Sequence, residues 1–272
     1  MPTPPRVSVI VPVLAEGARI SALVDHLRVV GYGTSLEIVV VDGDPAGSTL
    51  AALDRTGIVT LTAPRGRASQ QNAGAAAASG DILVFLHADT RLPAGALTAI
   101  TRSLAGSHRA GAFSLSIRSR SPWLRLVAAG ANLRSRLFGL PYGDQAFFFR
   151  RDLFDVLGGF PELPIMEDVA LMRALARTGE RPVLLPERVS TSARRWQAEG
   201  LLRTTVRNLA LLLGYLCGVP AQRLAKCYPA MPELCGGEGW EDASGGQEGS
   251  DSPPGPPPPG KTTSKSNNKP NL

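Results

Sequence analysis

The chain runs to 272 residues, long enough for one large α/β domain or two small ones, and 43% of them are hydrophobic, which supplies a core and excludes disorder throughout. Its 29 Lys and Arg outnumber 23 Asp and Glu for a formal charge of +6, yet the arginines are scattered, with no stacking aromatics or nucleic-acid motif between them. A nucleic-acid partner is therefore not expected, while small anions and acidic surfaces stay compatible.

Val7 to Leu14 is an apolar, branched run that reads as a buried first strand; it contains Pro12, lacks a charged leader and is soon followed by Glu16, so it is not a signal peptide. Ala18 to Val30 follows as a helix with Ile20, Leu23, Val24 and Leu27 on one face. Leu36 to Val41 is a second buried strand ending in Asp42-Gly43-Asp44-Pro45, and Ile58 to Leu61 is a short third. Arg65-Gly66-Arg67 leads into a small-residue helix, Ala68 to Ser79, before a fourth strand, Ile82 to Leu86. Strands alternating with helices at this spacing predict an α/β fold with a mostly parallel, doubly wound sheet.

The fourth strand stops at His87-Ala88-Asp89. In an open α/β sheet, ligands bind beyond the carboxyl ends of the strands, and side chains at i and i+2 point to the same side, so His87 and Asp89 can reach one target. A Mg²⁺ or Mn²⁺ ion clamping a diphosphate suits that pair. The plain alternative is that Asp89 caps the helix starting near Pro93 and His87 is a polar strand end.

Leu92 to Leu104 is predicted as a helix, Ala110 to Ile117 as a half-exposed strand, and Pro122 to Gly139 as an amphipathic helix. Tyr142-Gly143-Asp144-Gln145 precedes a strand of three phenylalanines, Phe147 to Phe149, and a short helix from Asp152 ends at Gly158-Gly159-Phe160. Glu167-Asp168 opens a helix running from Val169 to Arg177, where adjacent acids are also favoured by the helix dipole alone. Val183 to Leu185 is a strand, Arg194-Arg195-Trp196 leads to a last helix, Leu201 to Leu216, and from Lys226 the composition turns to Gly, Pro, Lys and Ser, which reads as a disordered, low-complexity tail over 226–272. Cys217, Cys227 and Cys235 fall late, are odd in number and lack metal spacing, which points to a reducing, cytoplasmic setting.

Taken in order, these stations resemble the inverting glycosyltransferases of family 2, with the GT-A nucleotide-diphospho-sugar fold. Pro12-Val13-Leu14-Ala15-Glu16 is similar to their opening Pro-x-x-Asn-Glu, with Ala15 in place of Asn; Val40-Val41-Asp42-Gly43 resembles their second-strand signature, with Asp44-Pro45-Ala46-Gly47 replacing the usual Gly-Ser-x-Asp continuation. Gly66-Arg67-Ala68, Asn72-Ala73-Gly74 and Gly80-Asp81 through Pro93 match the stretch ending in the metal-binding Asp-x-Asp, read here as His87-Ala88-Asp89. Gly158-Gly159-Phe160 with Glu167-Asp168 fits the acceptor-side motif, and Arg195-Trp196 the Arg-Trp of Gln-x-x-Arg-Trp. The forms around His87 to Pro93 and Gly143-Asp144-Gln145 look most like short bacterial members associated with arsenosugar biosynthesis or with radical-enzyme and selenium-related gene neighbourhoods.

The resemblance implies one domain over 1–225, donor-binding to about residue 105 and acceptor-side beyond it. It also implies a hexosyl transfer from a nucleotide-diphospho-sugar, most commonly UDP-linked, to an unidentified acceptor hydroxyl. Pro12, Glu16, Asp42, Arg67, Asn72, His87, Asp89, Arg195 and Trp196 then hold the donor, His87 and Asp89 hold Mg²⁺ or Mn²⁺, Asp168 is the general base with Glu167 beside it, and Asp144 and Gln145 lie on the acceptor side. Two rivals carry different signatures. A sugar nucleotidyltransferase needs a Gly-rich signature and a downstream Lys, and no Lys precedes Lys226; a non-catalytic nucleotide-sugar-binding protein is suggested by the eroded second motif. The helix over 201–216 and the segment from Trp123 to Phe138 are basic and amphipathic, compatible with peripheral contact at the inner face of an anionic membrane as well as with core packing. The sequence sets no oligomeric state.

Overall fold

The computed structural model describes residues 5–228. Its strands are β1 (Val7–Val13), β2 (Leu36–Asp42), β3 (Val59–Thr62), β4 (Ile82–Phe85), β5 (Thr90–Arg91), β6 (Ala110–Arg118), β7 (Phe147–Arg150) and β8 (Val183–Ser192). They form one sheet in the order β3-β2-β1-β4-β7-β6-β8-β5. The first four are parallel to one another, as the alternating pattern predicts. Beyond β4 the sheet is mixed: β7 is antiparallel to both β4 and β6, while β6 and β8 are parallel.

Alternate residues feed two cores. Val9, Val11 and Val84 pack on one face of the sheet, and Ile10, Leu83 and Phe85 on the other, the period expected of strands buried on both sides. Pro12 is tolerated in β1 because β1 pairs with β4 only as far as Ile10. Ile10 O accepts from Leu86 N–H on that side, so the nitrogen two residues later faces past the last pair, where no ladder bond is lost.

Around the sheet lie α1 (Gly17–Val30), the short α2 (Ser48–Ala51), α3 (Arg67–Ala77), α4 (Ala96–Leu104), α5 (Pro122–Phe138), α6 (Arg151–Leu157), α7 (Glu167–Arg177), α8 (Arg194–Glu199), α9 (Leu201–Leu216) and α10 (Ala221–Ala225), with a 3₁₀ turn over Gly143–Gln145. Helix α3 lies close to the sheet through Gly74, where an added Cβ would stand 2.4 Å from Ile10 Cγ2 and 2.9 Å from Val41 Cγ2. No helix among the described residues is long and apolar enough to cross a membrane.

Four expectations shift. The helix predicted from Leu92 begins at Ala96, because Thr90 and Arg91 pair with Thr191 and Ser190 of β8. Strand β6 is buried along nearly its whole length, not half exposed, since α5 covers one face and α7 reaches the other core. The strand predicted to end at Leu185 continues to Ser192 alongside β6, past a register shift at Phe113/Ser114. The folded region also passes the expected boundary at 225: Tyr228 packs against Arg195 and Arg207. The rest of the expected tail, with Cys235, lies outside the described residues.

Candidate active site

The carboxyl ends of β1 and β2 and the loop before α3 open into a cavity of 580 Å³, lined by Leu14, Ala15, Gly43, Asp44, Ser48 and Arg65 among others. Asp42 does not reach it. Its carboxylate is fully buried and accepts from Asp44 N–H (3.0 Å) and Thr49 N–H (2.9 Å), so it fixes the loop. The acid at the cavity wall is Asp44, held below the usual carboxylate range by the Ser48 hydroxyl and the Ala46 N–H.

Glu16 is likewise committed. Arg194 grips it bidentately, Nη2 to Oε1 at 2.6 Å and Nη1 to Oε2 at 3.2 Å, while Arg19 lies 3.2 Å from Oε2. The same guanidinium turns its Nε towards Asp89 Oδ2 at 3.3 Å. One arginine thus spans the end of β1 and the end of β4. The family resemblance singled out its neighbour Arg195 as the Arg of the Arg-Trp pair, and two consecutive arginines carry no sign of which points inward.

Beside this clamp the second group converges. Gly143 N–H donates to Asp168 Oδ2 at 2.9 Å, and a side chain at Gly143 would stand 3.0 Å from His87 Nε2 and 3.6 Å from Asp168 Oδ2; the glycine lets the 3₁₀ turn slide between a strand end and a helix start. Asp168 Oδ1 accepts from Val169 N–H (2.8 Å), and Arg67 Nη1 lies 3.7 Å from Glu167 Oε1. Asp168 keeps partial exposure, while Glu167 is buried.

The electrostatics follow from this crowding. Burial, reinforced by Arg67 against Asp89 and Asp168, holds the His87 pKa down at about 4, so the ring is neutral at pH 7 and has a lone pair to offer. Burial, opposed by Arg134 and reinforced by Asp168 and Asp89, pushes Asp144 up to about 6. Its Oδ1 is sealed from solvent without a hydrogen-bond partner. Burial also raises the Glu167 carboxyl, with Asp168 reinforcing and Arg67 opposing. Among the described residues no three His, Cys, Asp or Glu side chains are grouped to hold a metal ion. A neutral imidazole and one carboxylate, with an orphaned acidic oxygen close by, still fit a divalent ion that takes its other ligands from phosphate and water.

Other expected site residues make contacts within the protein. Asn72 ties α3 to the Gly-Gly-Phe turn through Nδ2–H to Phe160 O and Phe160 N–H to Oδ1, both 2.8 Å. Gln145 is fully buried; it donates to Phe113 O and accepts from Ser135 Oγ and Tyr142 N–H. Trp196 packs against the apolar core. Pro12 is a strand residue. Arg195 stacks 4.6 Å from the Tyr228 ring centre and pairs with Glu199 at 3.3 Å, so it reaches the site's edge and not the Asp89 cluster. Tyr142, Asn208 and Tyr228, which no motif marked, line a 130 Å³ pocket with Arg67, Glu167 and Asp168.

The sequence pattern described as "Glycosyl transferase family 2" matches residues 8–154, more than half of the chain. The chain belongs to glycosyltransferase family 2. Among curated proteins no sequence matches it. Solved structures do: a mannosyltransferase from Pyrobaculum calidifontis in complex with GDP-Man and Mn²⁺ is 25% identical, with TM-score 0.59 over 84% of this chain and 71% of that one. Glucosyl-3-phosphoglycerate synthase from Mycobacterium tuberculosis, in complex with Mn²⁺, UDP and phosphoglyceric acid, is 19% identical with TM-score 0.55 over 79% and 80%. TarS of S. aureus is 16% identical with TM-score 0.54 over 77% and 64%. This family 2 member therefore has the GT-A fold and is a glycosyltransferase of nucleotide sugars at the general level; the two Mn²⁺ complexes are consistent with a divalent metal.

Proposed function

We propose that this family 2 glycosyltransferase inverts the anomeric carbon as it moves a hexosyl group from a nucleotide-diphospho-sugar to an acceptor hydroxyl delivered beside Asp168. The observation that carries the reading is the meeting of His87, Asp89, Arg67 and Asp168 from separate segments next to the 580 Å³ cavity at the strand ends. Residues up to about 105 supply the donor side: Asp44 and Arg65 face the nucleoside, and Arg67 offers its charge to the diphosphate. Residues 106–225 supply the acceptor side. Asp89 and His87 would hold Mg²⁺ or Mn²⁺, which takes up charge on the leaving diphosphate.

Asp168 accepts the acceptor's proton as its oxygen bonds to the anomeric carbon, and the nucleoside diphosphate leaves with the electron pair of the broken C–O bond. Its partial exposure favours it over buried Glu167. Arg67 beside Glu167 keeps negative charge from accumulating around the base. UDP-sugars are the first donors to test, with GDP-mannose beside them because the Pyrobaculum protein was solved with GDP-Man. The motif forms around His87 and Gly143 support a place among the short bacterial members linked to arsenosugar, radical-enzyme or selenium neighbourhoods, which leaves the acceptor to be found. A cytoplasmic setting is part of this reading.

Sealed Asp42 and the Arg194–Asp89 pair favour one second reading, a binding protein without turnover. Screening UDP- and GDP-sugars with Mn²⁺ for thermal shift and for release of nucleoside diphosphate decides between them. Release that Asp168→Asn leaves untouched overturns the role of Asp168; binding without release favours the second reading.

A further inference from the structure

Helices α5 and α9 lie side by side at the surface, joined where Trp123 Nε1–H donates to Thr205 Oγ1 at 3.3 Å. Each presents an apolar stripe outward. On α5 it is Leu126, Leu133 and Leu137, and on α9 Leu202, Val206, Leu209 and Leu213; all seven are between 52% and 64% exposed. Their spacings of three, four and seven place each set along one helix face. The inward residues are different ones, such as Leu124 and Ala128 of α5 and Thr204, Leu211 and Leu212 of α9, so core packing accounts for the opposite sides and leaves the stripes unexplained. Scattered exposed leucines are ordinary; two adjacent regular rows of them are not.

The charge along the two segments has one sign. From Ser119 to Tyr142, and again from Gly200 to Tyr228, the chain holds no Asp or Glu. Arg120, Arg125, Arg136, Arg203, Arg223 and Lys226 are exposed in these segments. A second copy of this face would set arginine against arginine with no acid between, which disfavours self-pairing. Helix α9, at 16 residues, is too short to span a bilayer. Apolar rows edged with arginine match the charge and polarity of an anionic membrane surface, where the rows sink to the acyl boundary and the guanidinium groups stay among the headgroups.

We propose that the α5–α9 face seats the protein on an anionic lipid bilayer. The placement bears on the enzyme's geometry, because the inner side of α9 supplies Asn208, Leu211 and Leu212 to the pocket that holds Asp168. A docked molecule therefore keeps its acceptor pocket one helix away from lipid, about 10 Å.

The test uses the full chain without nucleotide, so it is independent of any donor or turnover. Sucrose-loaded vesicles of phosphatidylglycerol and phosphatidylcholine, against vesicles of phosphatidylcholine alone, are spun down with the protein in about 20 mM salt, where screening is weak. Co-sedimentation with the anionic vesicles, lost on adding salt, is expected. Leu209→Ser/Leu213→Ser and, separately, Arg125→Glu/Arg203→Glu each weaken it by about tenfold or more with an unchanged melting curve, and Leu126→Ser serves if an α9 variant fails to fold. Absence of co-sedimentation at low salt, or partition that none of these variants reduces, overturns the proposal. So does a dimer in sedimentation velocity that the leucine variants dissolve.

Discussion

Asp144→Asn tests the electrostatics of the site most directly. The Asp144 carboxyl is pushed from an ordinary 3.8 to about 6, foremost by burial, while one of its oxygens is sealed without a partner. A folded-state pKa above the unfolded value means that the native protein holds this proton more tightly, so stability is lost as pH rises through the window from about 4 to about 6. At 1.36 kcal/mol per unit, the cost of ionising Asp144 in the folded protein comes to about 3 kcal/mol, an upper figure because relaxation and water reduce it. Asn keeps the shape and carries no charge. Urea unfolding of the two proteins should therefore coincide near pH 4 and diverge above pH 6, with Asp144→Asn more stable by about 1–3 kcal/mol at pH 7.5. Equal stability at pH 7.5, or a gain of the same size at both pH values, refutes this account of the cluster.

Asp89→Asn should weaken Mn²⁺-dependent donor binding and transfer together; calorimetric titration that finds donor affinity intact would remove Asp89 from the metal site. Asp168→Asn should leave donor affinity near normal while transfer drops by about two to four orders of magnitude in a steady-state assay. Ala15 has φ +54, a conformation costly for alanine, so Ala15→Gly should raise stability by about 0.5–1 kcal/mol in chemical denaturation despite the freer unfolded chain. Gly74→Ala should lower stability by about 1–2 kcal/mol, because the new methyl meets two fixed branched side chains of β1 and β2 and its helix propensity offsets only part of the strain; an unchanged melting temperature would show that α3 shifts at little cost.

Much of this was legible in the sequence because periodicity reports burial. The first four strands, the helices after the first, third and fourth, and the polar residues at the strands' carboxyl ends follow from apolar runs and punctuation alone, while the four-residue α2 does not. The antiparallel insertion of β7 was not legible, since Phe147, Phe148 and Phe149 are buried on both faces and such a run has no directional signature. Strand β5 escaped because two residues carry no period. Among candidate site residues, Asp89 stands where an apolar run stops, while Asp168 is marked only by the Glu-Asp pair of the family resemblance. Motif residues that lie in helices or turns, such as Asn72 and Gln145, bond to the backbone, and spacing cannot tell a side chain that binds a ligand from one that binds a carbonyl. Among the described residues the three non-glycine residues with positive φ, Ala15, Ala146 and Met166, all adjoin candidate site positions, and no composition rule exposes that kind of strain.

Arg194 sets the order in which the site can come into being. It joins Glu16 across 178 positions of sequence, and the part of the chain matching the family pattern ends at residue 154. A chain emerging from the ribosome therefore has Glu16 paired with Arg19 alone, and Asp89 without the Arg194 contact, until β8 and α8 have been made. The Arg194 contact has a long loop to close, so it belongs among the last steps of assembly. A fragment ending near residue 154 would lack Asp168 and Arg194 alike: the arginine that ties the end of β1 to the end of β4 would be missing from its sheet ends.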